Sequence, residues 1–520
     1  MKKHIASLMV LSSAFYAHAE LSSFDHPTEI IVSYKDPQHL SQSLVSFGTN
    51  EKLAGNTFKL SLNSFLDSKN ILADLKNDPN VQWAAPNRVY LGDYREYMPS
   101  DERISSQRHH TLIKSFEAWN FDLGKEEVVV AVTDDGFKLD HEDMTTGWYI
   151  NRNEIPNNGI DDDNNGFVDD YIGWDFNNND NDPSSSYDYG SHGTHVAGII
   201  GAVHDNNLGV SGIAPKVKIM PLKFYGANGL KSDMYYRAYA YAADNGAKII
   251  NTSYNIDSVV DDEVYLRGLD YVKEKGVLVF NSAGNNGRYN PKRHTVDKIL
   301  LVASSVSNGK KDDTVSSFSN YGDGVDIIAP GDPIYSHTSS GRYANLQGTS
   351  MATPVAAGVA AYIWSVHPEY SMEQVVHTLM LSADNIDASN KEKYQFAIGA
   401  GRVNSLNAIT LNAPAARISG AVYNDKEKQM KVYLQGVLEN TMPEIIEAMS
   451  LYMDGEKVEL VDNRTYEVGT NFFSFPVTKR RANYKFTIDG EQLTDVFGNK
   501  LDANKDNTPG GVLSFEFKSR

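Results

Sequence analysis

Short apolar-rich runs at residues 128–132, 248–250, 276–280, 299–302 and 325–329 alternate with longer helical stretches at 232–245 and 261–275. A strand with one wet face alternates apolar and polar residues, whereas a strand covered on both faces is apolar nearly throughout. These runs are of the second kind. They predict an α/β unit over residues 105–412, with a mainly parallel central sheet flanked by helices on both faces. In such sheets reactive side chains collect at the carboxyl ends of the strands.

The pattern differs on either side. Residues 29–34 alternate like a strand, 68–75 have helical composition, and 81–83 read as another strand. Together they predict a small α+β domain over residues 20–104. Beyond residue 412 the helical signals fade. Short β-type runs at 432–434, 472–475 and 513–517, with turns between them, predict a β-sandwich over 413–520.

The first residues carry an address. Lys2 and Lys3 precede an apolar run over 5–15, and Ala17-His18-Ala19 has the small-x-small form of a cleavage site. The run is too short to span a bilayer, so residues 1–19 are expected to be a removed export signal. The protein is accordingly expected outside the cytoplasm, in the medium or the periplasm, without a membrane span and as a monomer.

Composition narrows the chemistry. A net charge of −19 argues against nucleic acid as a partner, since no phosphate-neutralising surface is implied. The absence of cysteine rules out disulfides, thiolate nucleophiles and cysteine-held metals.

Three distant segments then stand out. Asp134, followed by Asp135-Gly136, closes the first apolar run. His192 opens His-Gly-Thr-His-Val-Ala-Gly, and Ser350 lies in Gly-Thr-Ser-Met-Ala-Thr-Pro ahead of an apolar helical stretch. Each has an ordinary explanation alone: a strand-ending turn, a packed histidine, an N-cap serine. Together they supply an acid, a base and a nucleophile, and a serine hydroxyl needs both partners to attack at neutral pH. The His192/His195 spacing does not suit a zincin helix, which also needs a glutamate. Pro354 early in its helix would leave Ser350 among unpaired amides that favour an oxyanion.

At these motifs the chain resembles the subtilisin-like serine proteases. The resemblance implies hydrolysis of protein or peptide substrates through an acyl-enzyme on Ser350, with His192 as the base and Asp134 as its partner. By the same resemblance, the Asn285 amide in Ser282-Ala283-Gly284-Asn285 would stabilise the oxyanion. Ser253, Tyr254 and Asn255 would form one wall of the primary substrate pocket, and Ser282, Ala283 and Gly284 the other. Asp257 near one wall is offset by Arg288, Lys292 and Arg293 after the other, so a dibasic preference is not expected. The 20–104 domain, ending in Ala85-Pro86-Asn87-Arg88, resembles the propeptide that acts as intramolecular inhibitor of the zymogen. Residues 495–502 look like the closing element of bacterial immunoglobulin-like domains.

Calcium is the expected cofactor. Residues 158–170 place oxygens at alternate positions around a glycine, with Asp161, Asp163, Asn165 and Asp169 as candidate ligands. Ile172 stands where a regular EF-hand has glutamate. Asp143, Asp205 and Asn206, with Gln107, resemble the family's tight calcium site. Asp502, Asn504 and Asp506 form a weaker candidate. The competing reading is a catalytically inactive, calcium-dependent surface or binding protein on the same scaffold.

Overall fold

The computed structural model describes residues 23–35, 48–62, 68–90, 97–185, 190–411, 413–424, 427–460, 467, 471–477 and 481–519. The expected export segment 1–19 lies outside these residues. The chain divides into two compact units, Met1–Arg95 and Glu96–Arg520.

In the first unit, strands β1 (Ser23–Tyr34), β2 (Gly48–Ala54), β3 (Thr57–Leu62) and β4 (Val81–Tyr90) form an antiparallel sheet in the order β2-β3-β1-β4. Along β3, Phe58, Leu60 and Leu62 are buried while their neighbours are not, the period-two pattern of a sheet with one covered face. Ile71 and Leu75 of helix α1 (Ser68–Asn77) share a core with Ile30, Val32 and Tyr34.

The second unit is built on a parallel sheet of β5 (Val129–Asp134), β6 (Trp174–Asp175), β7 (Lys218–Lys223), β8 (Ala247–Thr252), β9 (Leu278–Ser282), β10 (Leu300–Val306) and β11 (Ile327–Asp332). Their order is β11-β10-β9-β8-β5-β7-β6. Every residue of β5, β9 and β10 is buried, as strands covered on both faces require. The principal helices are α2 (Ser191–Gly201), α3 (Ser232–Asp244), α4 (Glu263–Glu274), α5 (Thr349–Val366) and α6 (Met372–Leu381). Helix α5 is buried from Met351 through Ser365, and its small residues permit that: a Cβ on Gly358 would lie 3.0 Å from the Ile213 Cβ. Strands β6 and β7 are elements the apolar runs did not single out. The expected α/β architecture is the one observed. A short hairpin, β12 (Ile334–His337) and β13 (Tyr343–Leu346), lies between β11 and α5.

After residue 412 two antiparallel sheets follow. One is β14 (Arg417–Asn424), β15 (Gln429–Gln435) and β18 (Phe472–Pro476). The other is β16 (Met449–Met453), β17 (Glu456–Val458), β19 (Asn483–Asp489) and β20 (Val512–Lys518). Val432, Phe473 and Phe475 of the first share one apolar core with Leu451, Phe486 and Ile488 of the second. This layer is tied to the parallel-sheet body by polar bonds, two of the three below being buried. Lys431 Nζ meets Asp323 Oδ2 at 2.6 Å, Tyr433 donates to Asp323 Oδ1 at 2.9 Å, and Gln435 donates to the Met380 carbonyl at 2.7 Å.

Candidate active site

Strands β5, β8 and β9 are adjacent, so their carboxyl ends bring Asp134, Ser253 and Ser282 to one rim of the sheet. Asp134 ends β5 and is 3% exposed. Its Oδ1 and Oδ2 lie 2.8 and 3.0 Å from His192 Nδ1. That approach depends on glycine: a Cβ on Gly193 would lie 2.5 Å from the Gly136 carbonyl and 2.9 Å from the Asp134 Cβ. The start of α2 can therefore press directly against the end of β5.

A second carboxylate stands beside this pair. Asp135 Oδ1 accepts the Gly193 amide at 2.8 Å. Burial, reinforced by the Asp134 charge, pushes its pKa up to about 6. For His192, burial alone disfavours the cation. The Asp134 charge and hydrogen bond, with Asp135 adding to them, outweigh it and raise the imidazole to about 9. His195 behaves oppositely. Burial pushes it down to about 3, and its Nε2 is bonded to the Ala344 carbonyl at 3.1 Å, a packing role.

Ser350 is the second residue of α5, which packs against α2. Its Oγ donates to the Ser253 carbonyl at 3.0 Å, and Ser253 Oγ returns a bond to the Ser350 carbonyl at 2.9 Å. In this rotamer the hydroxyl rests on β8's extension, and His192 Nε2 has no hydrogen-bond partner among the described residues. Catalytic serine–histidine contacts are commonly longer without substrate and tighten on binding.

Asn285 is held by its oxygen. Oδ1 accepts from both the amide and the hydroxyl of Thr349, each at 2.8 Å. Gly348 precedes the helix with φ 154° and ψ 162°, a conformation open essentially to glycine alone. A Cβ there would sit 3.5 Å from Asn285 Nδ2 and 3.6 Å from the Ser350 amide. These two donors thus flank one small space that a side chain at 348 would invade.

The two expected pocket walls are joined at their base. Asn281 Nδ2 donates to the carbonyls of Thr252 (2.7 Å) and Tyr254 (3.1 Å). The Tyr254 ring turns inward, packed tilted and edge-on among Phe224, Tyr225 and Tyr235, so its wall contribution is backbone. Ala283 is buried, and Asn320 braces its carbonyl at 2.9 Å. Asp257 and Arg293, 36 residues apart, pair across the base.

The calcium candidates are only partly brought together. Asp161 and Asp163 cluster with Glu154, their ligand oxygens within 4.8 Å of one another. Glu154 was not anticipated, although it lies only four residues before the acidic loop. It is 4% exposed, one oxygen accepts the amides of Asp162 and Asp163, and Oε2 is buried without a hydrogen-bond partner among the described residues. An orphaned carboxylate oxygen facing two further carboxylates fits a hard cation. Asn165 instead turns its amide to donate to Asp163 and Asp170, and Asp169 caps the turn at Asn158 and Gly159.

The second site departs from expectation more strongly. Asp143 accepts from Asn206 Nδ2 and the Val210 amide, both at 2.8 Å, and lies 3.1 Å from His337 Nε2. Gln107 is spent on the backbone of Ser211, and Asp205 faces Tyr97 and the Ser100 amide. The oxygens expected to surround a cation are satisfied by protein donors. Asp502 likewise closes its own turn, accepting the amides of Lys505 and Asn507.

Comparison with known proteins agrees in one direction. The sequence profile described as the subtilase family matches residues 125–401. The chain is 32% identical over 316 residues to thermitase of Thermoactinomyces vulgaris, covering 60% of this chain and 99% of that protein. It is 31% identical over 344 residues to a thermophilic serine proteinase of Bacillus sp. (strain AK1), covering 65% of this chain and 75% of that one. To subtilisin-like protease 1 of Plasmodium berghei (strain Anka) it is 32% identical over 308 residues, 55% of this chain but only 50% of the relative.

Proposed function

The chain belongs to the subtilase family of serine proteases, and from that premise we propose an exported, calcium-stabilised serine endopeptidase made as a self-inhibited zymogen. The observation that supports it best is the Asp134–His192 hydrogen bond at 2.8 Å, on a helix that packs against the helix Ser350 opens.

In this reading Ser350 Oγ attacks the scissile carbonyl carbon as its proton passes to His192 Nε2. Asp134 keeps the other ring nitrogen protonated and stabilises the imidazolium. The tetrahedral oxyanion takes hydrogen bonds from the Ser350 amide and Asn285 Nδ2. Collapse breaks the C–N bond, and His192 gives its proton to the leaving amine. Water, deprotonated by His192, then releases the acyl group from Ser350. Substrate backbone would pair with 253–255 and 282–284, so recognition is largely main-chain.

Glu154, Asp161 and Asp163 would hold a calcium ion, whose role is to lock the acidic loop by cross-linking it. Residues 20–104 would act as the inhibitory propeptide, released by cleavage between Leu91 and Gln107. The mature enzyme would work as a monomer in the periplasm or the medium.

A fluorophosphonate probe tests the core of this reading: labelling of the secreted protein that disappears in Ser350→Ala supports it, and an unlabelled native protein refutes it. N-terminal sequencing of the mature protein tests the zymogen, which a start before Asp78 would contradict.

A further inference from the structure

Arg293 is 2% exposed, and its guanidinium spans the space between the two pocket walls. Nη1 donates to the Ser282 carbonyl at 2.7 Å on one wall, and Nη2 donates to Asn255 Oδ1 on the other. The missing side chain of Gly284 also faces it, since a Cβ there would lie 3.3 Å from Arg293 Cζ. Asp257 grips the same group in a fork, Nε to Oδ1 at 3.0 Å and Nη2 to Oδ2 at 3.1 Å, and takes the Arg293 amide as well. Nη1 keeps a second N–H without a partner among the described residues.

We infer that Arg293 is a specificity-determining residue, forming the floor of the pocket for the residue before the scissile bond and excluding lysine and arginine there. This rests on the proposed peptidase reading. A substrate cation entering the pocket would meet a buried guanidinium, and like charges so placed are rejected strongly. Asp257 balances the floor, so an acidic residue is not demanded either. The selected class is neutral.

The pair behaves as a balance. Removing Arg293 leaves the Asp257 carboxylate and the Ser282 carbonyl as unpaired acceptors, a floor suited to a substrate cation. Removing the Asp257 charge leaves a buried guanidinium in search of a carboxylate.

The experiment measures kcat/KM on internally quenched peptides that differ only in the residue before the cut: Leu, Gln, Lys, Arg or Glu. Active-site titration with a fluorophosphonate normalises each variant. The native enzyme should prefer Leu and Gln to Lys and Arg by at least about tenfold. Arg293→Met should raise Lys and Arg relative to Leu by about tenfold or more, and Asp257→Asn should do so for Glu. Arg293→Lys should keep the exclusion of basic residues. If the pair is only a staple between the walls, both variants lower all five substrates together and the ratios hold, which overturns the inference. Should either single variant fail to fold, Arg293→Met/Asp257→Asn decides: discrimination against Lys and Arg must relax, and an unchanged ratio refutes the floor role. A native protein that takes no label fails at the peptidase reading instead.

Discussion

The side-chain oxygen of Asn285 accepts two hydrogen bonds from Thr349, one from its amide and one from its hydroxyl, each at 2.8 Å. An amide is planar, so fixing its oxygen fixes where its nitrogen points. Asn285→Ala should therefore lower kcat about a hundredfold to a thousandfold with little change in KM, the signature of a donor used mainly in the transition state. Thr349→Val keeps the backbone donor but loses the hydroxyl, and steady-state kinetics should place it between native enzyme and Asn285→Ala.

The base must be neutral to accept a proton, so activity should rise with pH through the His192 pKa. Asp134 and Asp135 outweigh burial and hold that pKa up, at about 9, so the acid limb of kcat/KM should lie above pH 6.5. Removing the adjacent charge in Asp135→Asn should move the limb towards lower pH without abolishing turnover. The linkage has a definite sign. A histidine raised on folding adds stability that is complete below its unfolded pKa and is lost as pH climbs towards about 9. A pH–rate profile of Asp135→Asn matching the native one would contradict this account.

Chelation should lower the melting temperature, because a ligand that binds only the folded chain stabilises it by mass action, about 2.7 kcal/mol at a hundredfold excess over Kd. Glu154→Gln should erase the chelator response, while Asp169→Asn should preserve it, since Asp169 is occupied with the amides of Asn158 and Gly159. Differential scanning calorimetry with and without chelator separates the two.

Lys431 and Asp323 are 5% and 7% exposed along their side chains and meet at 2.6 Å. Asp323 also accepts from Tyr289 and Asn290, just beyond Asn285 in the chain. Lys431→Met would leave that carboxylate without its cation, at a cost of about 3–5 kcal/mol. Denaturant unfolding should show the loss. Burial raises the Asp323 pKa, but the lysine and the other donors more than offset it, so this contribution holds above pH 3.8 and fades as pH falls through the depressed value.

Much of this molecule was readable in one dimension. The apolar runs lie on β5 and β8 to β11 because a strand buried on both faces leaves an unbroken local record. Asp134, His192 and Ser350 were legible because each sits in a motif whose glycines and proline serve its own backbone turn. Glu154, the Arg293–Asp257 fork and the Asp143–His337 contact left no such record.

Chain order was enough to single out the candidate acid, base and nucleophile and to predict the parallel sheet and the helix that Ser350 opens, since periodicity and motif are properties of neighbours. Folding settled which charges neutralise which. Asp143 meets His337 across 194 residues and Arg293 meets Asp257 across 36, and those partnerships decide where a cation fits and what the pocket floor presents. A buried charge must find a counter-charge or donors wherever packing brings them close. Its partner is thus set by proximity in space, which spacing along the chain does not encode.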